Sequence, residues 1–275
     1  MDHTDRIGIE FISVLGLPPV AFVALAAELG CRHIGIALAP FTANPHRYEA
    51  WSLRDSATLR RDFRQALVDH AVAPSVGEGF LAWPDKPVSD LAGDLDLMAE
   101  LGVPLVNIVS LDPDLDRAGA ELATFAELAR ARGMRATVEF LPGLPMADLP
   151  TAVEVVRRSG HSNLALLIDA MHVFRSGGTA ADVAALDPSL IGYLQVCDVP
   201  LAQPAMSYGD EARNERRIPG EGELPLLDLL HAVPRDLVVG LETPMLSKAE
   251  AGLSPRDVLA PAVAATAALL RQLES

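Results

Sequence analysis

The chain of 275 residues has little of several features that mark particular classes of protein. It holds two cysteines, Cys31 and Cys197, each in an apolar stretch, so we expect a reducing compartment and no disulfide framework. Basic residues are also few, because 22 Lys and Arg stand against 37 Asp and Glu, a net charge of −15. Nucleic-acid binding depends on neutralising phosphates, and this balance argues against such a partner.

Long apolar runs are missing as well. Segments such as 7–16 and 164–168 fall short of the ~18–20 residues that a membrane-spanning helix needs. The first ten residues, MDHTDRIGIE, carry acids where a secretory signal would have basic residues and then an apolar run. We therefore expect a cytoplasmic protein without membrane contact. Half of the residues are hydrophobic, which is enough for a sizeable core.

Glycine-rich phosphate loops are the third absence. Neither GxGxxG nor GxxxxGK[ST] occurs, and the glycine pairs in Gly77–Phe80 and Gly220–Glu223 lack the strand and helix that such loops connect. This disfavours an open, doubly wound sheet that binds a nucleotide.

A rhythm of short strands and longer helices runs through the whole chain. Strict alternation of buried strands with helices predicts an α/β fold with a parallel sheet, and eight units in this length predict a closed (β/α)8 TIM barrel, residues 1–275 forming one domain. The predicted strands are Ile7–Ser13, His33–Ala37, Ala73–Gly77, Val103–Val109, Arg135–Phe140, Leu164–Asp169, Ile191–Cys197 and Leu237–Glu242. The predicted helices are Pro18–Leu29, Trp51–His70, Val88–Leu101, Ala118–Arg132, Ala147–Ser159, Ala180–Leu186, Leu224–His231 and Pro255–Leu273.

Four consecutive predicted strands, the fifth to the eighth, each place an oxygen-bearing side chain near the carboxyl end, where TIM barrels have their active sites. These are Glu139, Asp169, Gln195 and Glu242. One carboxylate at a strand end is usually just exposed, but four such residues in succession indicate a common site. Because converging carboxylates repel one another, we predict that these four residues hold one divalent metal ion. Hard oxygen donors favour Mn²⁺, with Mg²⁺, Co²⁺ and Zn²⁺ as alternatives.

Further candidates lie near the predicted barrel mouth. His172, three residues after Asp169, either reaches the site or caps the following turn. Gln195 and Glu242 are 47 positions apart, and this long polar segment is typical of an active-site loop or lid. Its arginines, Arg213, Arg216 and Arg217, would bind a polyol or a phosphorylated sugar, or form a solvated charge run. Weaker pocket candidates are Glu10, Glu78, Phe80, Trp83 and Asn107.

Five motifs give the chain a resemblance to the sugar phosphate isomerase/epimerase family of xylose isomerase-like TIM barrels. The motifs are VEFLP (Val138–Pro142), IDAMH (Ile168–His172), YLQVCD (Tyr193–Asp198), RRIPGEGELPL (Arg216–Leu226) and GLETP (Gly240–Pro244). They cover the second half of the chain, and the first half resembles the family mainly in its strand rhythm.

The resemblance implies roles for most of the candidate residues. Glu139 and Glu242 would bind the metal and act as a paired acid and base, with Asp169 as a further ligand. His172 and Arg217 would contact substrate hydroxyls. Ketose epimerases of the family usually have histidine where this chain has Gln195, although relatives with QxCD exist. The resemblance also implies a homodimer or homotetramer.

The leading hypothesis is a metal-dependent isomerase or epimerase that moves a proton next to the carbonyl of a sugar or sugar-like polyol through Glu139 and Glu242. The alternative is a lyase on the same scaffold, of the inosose or dehydroshikimate dehydratase type. A DNA-repair endonuclease would need a histidine-rich site with several metals, and the net charge also argues against DNA. A non-catalytic sugar-binding barrel would not need both glutamates.

Overall fold

The computed structural model, which describes residues 3–273, is a closed barrel of eight parallel strands in chain order. Strand β1 pairs with both β2 and β8 and so closes the barrel. The predicted fold class is confirmed. The strands are β1 (Ile7–Ile9), β2 (His33–Ile36), β3 (Ala73–Ala82), β4 (Leu105–Ser110), β5 (Arg135–Glu139), β6 (Leu164–Asp169), β7 (Ile191–Val196) and β8 (Val239–Leu241).

The helices lie in the connections between the strands and after β8. They are α1 (Pro19–Glu28), α2 (Ala57–His70), α3 (Ala92–Glu100), α4 (Leu115–Arg130), α5 (Leu149–Ser159), α6 (Ala170–Arg175), α7 (Ala180–Ala184), α8 (Tyr208–Asn214), α9 (Leu226–Ala232), α10 (Leu246–Glu250) and α11 (Pro255–Gln272). Between residues 3 and 273, no helix combines the length and the apolar composition that a bilayer crossing requires.

Two predicted strands were wrong at their ends. Strand β1 stops at Ile9 instead of Ser13, because residues Phe11–Val14 form a 3-10 turn that ends at Leu15 with a φ of 47°. Strand β3 continues past Gly77 to Ala82, because a shift in its pairing with β4 at this point, next to Gly79 with a φ of 90°, lets the strand go on. The ends of the other six strands differ from the prediction by at most two residues.

Local capping explains the main differences in the helices. Helix α2 begins at Ala57 and not at Trp51, because the Ser56 side chain accepts a hydrogen bond from the Leu59 N–H and caps the first turn. The predicted helix Val88–Leu101 is a 3-10 turn followed by α3, and α4 begins three residues early, after its cap. The sequence analysis missed the short helices α6, α8 and α10, which have five to seven residues and lie in segments where no helix was predicted.

The apolar core has two parts. The larger part lies between the barrel and the helices, and a small inner cluster consists of Val76, Leu105, Leu167 and Tyr193. Because side chains alternate along a strand, Gln195 lies on the same inward face as Tyr193, and Asp169 on the same face as Leu167. The inside of the barrel is therefore apolar beneath and polar at the carboxyl ends of the strands.

One carboxylate organises the segment between β7 and β8. Asp198 Oδ1 accepts hydrogen bonds from the N–H groups of Val199 and Leu224, at 2.9 and 3.0 Å, and Oδ2 accepts from Gly220 N–H at 2.8 Å. A side chain at Gly222 would place Cβ 2.2 Å from Asp198 Oδ1, so this position has no room for one. The predicted loop is thus folded against the barrel by the PGEG motif.

We predict that Asp198→Ala destabilises the protein. The substitution leaves three N–H groups without their acceptor, and at about 1 kcal/mol each the free energy of unfolding should fall by about 2–3 kcal/mol. Urea denaturation, followed by circular dichroism, measures this free energy of unfolding. Asp187→Ala, which removes an exposed turn cap at Ser189, is the control and should lose less than about 1 kcal/mol. Equal effects of the two substitutions would contradict the role of Asp198.

Candidate active site

Glu139 ends β5 and is held from two sides. Its Oε2 accepts a hydrogen bond from Asn107 Nδ2 at 2.8 Å, and its Oε1 lies 3.2 Å from His172 Nε2. Asn107 is fixed in turn, because its Oδ1 accepts from the Thr137 hydroxyl at 3.0 Å. These contacts come from adjacent strands and from α6, so Glu139 has a defined orientation.

Asp169 ends β6 and also caps α6. Its Oδ1 accepts a hydrogen bond from His172 N–H at 2.9 Å, which places the histidine ring beside Glu139. His172 thus lies within the predicted site. One ligand atom each of Glu139, Asp169 and His172 lies within 4.8 Å of the others, a group compact enough to hold a metal ion.

Tyr208 is a functional candidate that the sequence analysis missed. It lies on α8, and its hydroxyl contacts His172 Nδ1. Burial raises the pKa of Tyr208, so the phenol keeps its proton and donates to Nδ1. A neutral His172 therefore carries its own proton on Nε2, facing Glu139. The one available sequence signal was the position of Tyr208 in the predicted lid.

Arg216 is the arginine that reaches the site. It is 4% exposed, with Nη1 2.5 Å from Asp169 Oδ2 and Nη2 2.7 Å from Glu242 Oε2. Its Nε donates to the Ala212 carbonyl at 2.7 Å. Arg217, which we predicted to contact substrate, is exposed and donates to the Glu221 carbonyl at 3.2 Å.

The remaining arginine of the segment, Arg213, is exposed and is not among the contacts of Glu139, Asp169 or Glu242 that the structure describes. We call Glu139, Asp169 and Glu242 the acidic cluster. Arg216 is therefore the arginine of this segment that compensates the charge of the cluster.

Burial and charge act against each other in the acidic cluster. Burial alone would raise the pKa of Asp169, but the charge and hydrogen bond of Arg216, together with the hydrogen bond from the His172 backbone N–H, outweigh it and hold that pKa below its usual range. At Glu242, burial prevails over the attraction of Arg216 and raises the pKa well above its usual value. The cluster as a whole therefore has a shortage of positive charge.

A second carboxyl pair lies deeper in the barrel. Glu10 is fully buried and Glu78 is 8% exposed. Burial raises the pKa of Glu10, and burial together with Glu10 raises the pKa of Glu78 further. Oε2 of Glu10 and Oε1 of Glu78 both approach Gly35, where an added Cβ would lie 2.1 and 2.3 Å from them. A proton shared between these oxygens explains how two carboxyl groups can be buried together.

Two cavities open near the site. The larger, about 410 Å³, has Arg216, Arg217, Glu211 and Lys248 among its lining residues, so Arg216 joins it to the acidic cluster. The smaller, about 210 Å³, is lined in part by Glu78 and Phe80. Trp83, another predicted pocket residue, is 44% exposed and is not among the residues lining either cavity.

The donor set fits a divalent metal ion. Gln195 is 1% exposed, and its Oε1 has no hydrogen-bond partner among residues 3–273, so a buried oxygen is available as a ligand. The carboxylates of the acidic cluster are hard donors of the same kind. Cys197, whose Sγ lies 3.4 Å from Arg216 Nη1, would be a poor metal ligand, because burial raises the pKa of its thiol to about 12 and a thiol binds a metal as the thiolate. Cys31 and Cys197 are both buried and are not joined in a disulfide.

Comparison with known proteins places the chain in a family. The sequence profile of the xylose isomerase-like TIM barrels matches residues 23–267. The chain belongs to this family. A 3-dehydroshikimate dehydratase of Pseudomonas aeruginosa is 33% identical over 145 residues, which are 50% of this chain and 22% of the dehydratase. The chain thus matches about a fifth of the length of this curated relative.

Solved structures of other proteins have the same fold. The IolI protein with a bound zinc atom has a TM-score of 0.80 at 17% identity, and the alignment covers 97% of this chain and 98% of IolI. A D-psicose 3-epimerase solved with D-fructose has a TM-score of 0.71 at 15% identity, over 96% of this chain and 99% of the epimerase. IolI and the epimerase therefore share the barrel fold of this chain over nearly its whole length.

We predict that Arg216→Met destabilises this xylose isomerase-like barrel by about 3–5 kcal/mol at pH 7, because two buried carboxylates lose their cation. The pKa of Asp169 lies below its usual range, so the stabilisation by Arg216 is complete above the pKa of an unfolded Asp, about 4, and fades below it. The deficit of the variant should therefore stay the same from pH 7 down to about 4 and shrink as the pH falls below 4. Urea denaturation at several pH values measures this effect.

The neighbouring arginine supplies the matched control. Arg217→Met removes an exposed side chain that donates a hydrogen bond to a carbonyl in its own turn, and should change the free energy of unfolding by less than about 0.5 kcal/mol. If both variants lost the same amount at pH 7, the central place of Arg216 would be refuted.

Proposed function

We propose that the protein is a metal-dependent enzyme that removes a proton from the carbon next to a carbonyl of a sugar or sugar-like polyol and returns it, giving an isomer or an epimer. The observation that carries the proposal is the position of Glu139 and Glu242 at the ends of β5 and β8, with β6 and β7 between them. A substrate lying between these strands would present one face to each glutamate, as a base and an acid require.

The predicted ligand set of Glu139, Asp169, Gln195 and Glu242 suits the metal better than a set with His172. A histidine ligand needs a free lone pair on a ring nitrogen. In His172, Nδ1 accepts from Tyr208 and Nε2 faces Glu139 as a donor, whereas Gln195 Oε1 has no partner among the described residues. A divalent ion in this site would draw electron density from the substrate carbonyl and stabilise the enediolate. Mn²⁺ remains our choice of metal.

The other side chains of the site would bind and orient the substrate. His172 has one N–H directed at Glu139, and a substrate hydroxyl near Glu139 would compete for it. Arg216 provides a fixed positive charge beside Glu242 for a developing negative charge. Arg217 lines the larger cavity and would contact the distal part of a substrate. We therefore assign proton transfer to the glutamates and orientation to His172 and the arginines.

A second candidate function is a dehydratase on the same scaffold. It is favoured by the 33% identity to the P. aeruginosa 3-dehydroshikimate dehydratase over half of the chain. The first step would be the same removal of a proton next to a carbonyl, and a β-hydroxyl would then leave as water. The two functions differ in the product and share the base.

Proton NMR in D₂O separates the two candidates. The Mn²⁺-loaded protein is incubated with a panel of ketoses, with cyclic keto-polyols and with 3-dehydroshikimate. An isomerase or epimerase incorporates deuterium next to the carbonyl and gives a product with the same formula apart from the label. A dehydratase gives a new olefinic signal and the loss of one water.

We predict that Glu242→Gln lowers kcat at least about 100-fold on the substrate found in this way, because the amide cannot exchange a proton. Gln keeps the size of the side chain and an oxygen, so the Kd of the substrate measured by calorimetry should change by less than about threefold. Glu223→Gln, an exposed glutamate on the same segment, is the control. An unchanged kcat in Glu242→Gln would exclude the paired-glutamate mechanism.

A further inference from the structure

We propose that Glu10 is a positioning residue that orients the Gln195 carboxamide so that its oxygen can bind the metal. The inference rests on the proposed function, in which Gln195 is a ligand. Neither the acid–base pair nor the substrate contacts of that proposal give Glu10 a role, although it is fully buried beside the site.

The barrel is built around the carboxyl group of Glu10. Its Oε1 accepts a hydrogen bond from the Tyr193 hydroxyl at 2.8 Å, and that hydroxyl lies 2.9 Å from Ser75 Oγ. Two glycines on neighbouring strands leave the necessary space. An added Cβ would lie 1.9 Å from Glu10 Oε1 at Gly240, and 2.1 Å from Oε2 at Gly35. Side chains at these positions would displace the carboxyl group.

The contact between Glu10 and Gln195 determines which end of the amide is free. Gln195 pairs with Gly240, and Glu10 Oε1 lies directly over that glycine, so the two side chains are neighbours. The Gln195 amide acts on the Glu10 carboxylate as a donor, which opposes the rise of its pKa through burial, while Gln195 Oε1 has no hydrogen-bond partner in the described part of the chain. A carboxyl oxygen facing an amide as acceptor selects its NH₂ end, so the carbonyl oxygen is turned away from Glu10. The register pairs Gln195 with Asp169, so both side chains lie on the inward face of the barrel.

The Gln195 carbonyl oxygen, buried without a hydrogen-bond donor, needs another partner. An unpaired buried acceptor costs about 1–3 kcal/mol, and a 1% exposed side chain has little access to bulk water. A cation held together with the acidic cluster would satisfy it. Residues that orient a metal ligand through its second polar atom typically change metal affinity by about 10–100-fold when they are mutated.

Two substitutions at Glu10 separate the hydrogen bond from the charge. Glu10→Met removes both the charge and the acceptor, whereas Glu10→Gln removes the charge but keeps an oxygen that can accept from Gln195. Mn²⁺ is titrated by calorimetry into chelator-treated wild type and both variants. We expect the Kd of Glu10→Met to rise about tenfold or more, and that of Glu10→Gln to stay within about threefold of wild type.

The visible absorption of bound Co²⁺ reports on the ligands of the metal. A substitution that only lowered the stability of the fold would not change this spectrum. Because its bands respond to the number of ligands, Glu10→Met should change their intensity while Glu10→Gln retains the wild-type spectrum. If Glu10→Met does not fold, Tyr193→Phe, which removes the hydroxyl that holds Glu10, takes its place. A rise in Kd of about threefold or more in Tyr193→Phe would then support the inference, and a smaller change would overturn it.

The result that overturns this inference alone is a Glu10→Met protein that binds Mn²⁺ within about threefold of wild type, or a Glu10→Gln protein as weak as Glu10→Met. In the second case, the charge of Glu10 and not its hydrogen bond would determine the affinity. Wild type that binds no Mn²⁺ would overturn the proposed metal site and this inference together.

Discussion

Buried negative charge at one end of the barrel is the constraint on which the rest of the structure depends. The barrel brings Glu139, Asp169 and Glu242 together, and Glu139 and Asp169 have ligand atoms within 4.8 Å of each other. At this distance two like charges repel by roughly 3–4 kcal/mol at an effective dielectric constant of about 20. Arg216 contacts two of the carboxylates and compensates part of the charge, and the remainder is what a divalent ion would neutralise.

The segment between β7 and β8 is part of this site. It contributes Tyr208 to His172 and Arg216 to the acidic cluster, and Asp198 holds its PGEG turn in place. Glu139 faces the histidine side of the site and Glu242 faces the arginine side. The two glutamates are therefore in different environments, which suits opposite roles in one proton transfer. A change in this segment would alter both sides at once.

The features that could be predicted from the sequence are those that depend on a local pattern of residues. The contacts that depend on the packing of distant segments could not be predicted. The strand rhythm predicted the barrel, and the late positions in β5–β8 predicted the four candidate ligands. The choice between the adjacent Arg216 and Arg217 depends on a short antiparallel bridge, in which Arg217 pairs with Asp198 and Arg216 N–H donates to the Pro244 carbonyl. No local pattern reveals that contact.

Tyr208 and Glu10 illustrate the same limit. Tyr208 lies on a seven-residue helix inside the segment that was predicted as a loop or lid, and its partner His172 is 36 positions away. The burial of Glu10 depends on glycines in β2 and β8, the two strands that flank β1, and β8 meets β1 only when the barrel closes. In the sequence, Glu10 is one of five weak pocket candidates, and nothing in its local pattern distinguishes it from the other four.

Metal content tests the central claim that the acidic cluster exists to hold a divalent ion. Wild type and Glu139→Ala would be equilibrated with Mn²⁺, passed through a desalting column and measured by elemental analysis. The account predicts about one Mn²⁺ per chain in wild type and less than about a tenth of that in the variant, because Glu139 supplies a ligand from β5. Equal metal in both proteins, or none in wild type, would contradict it.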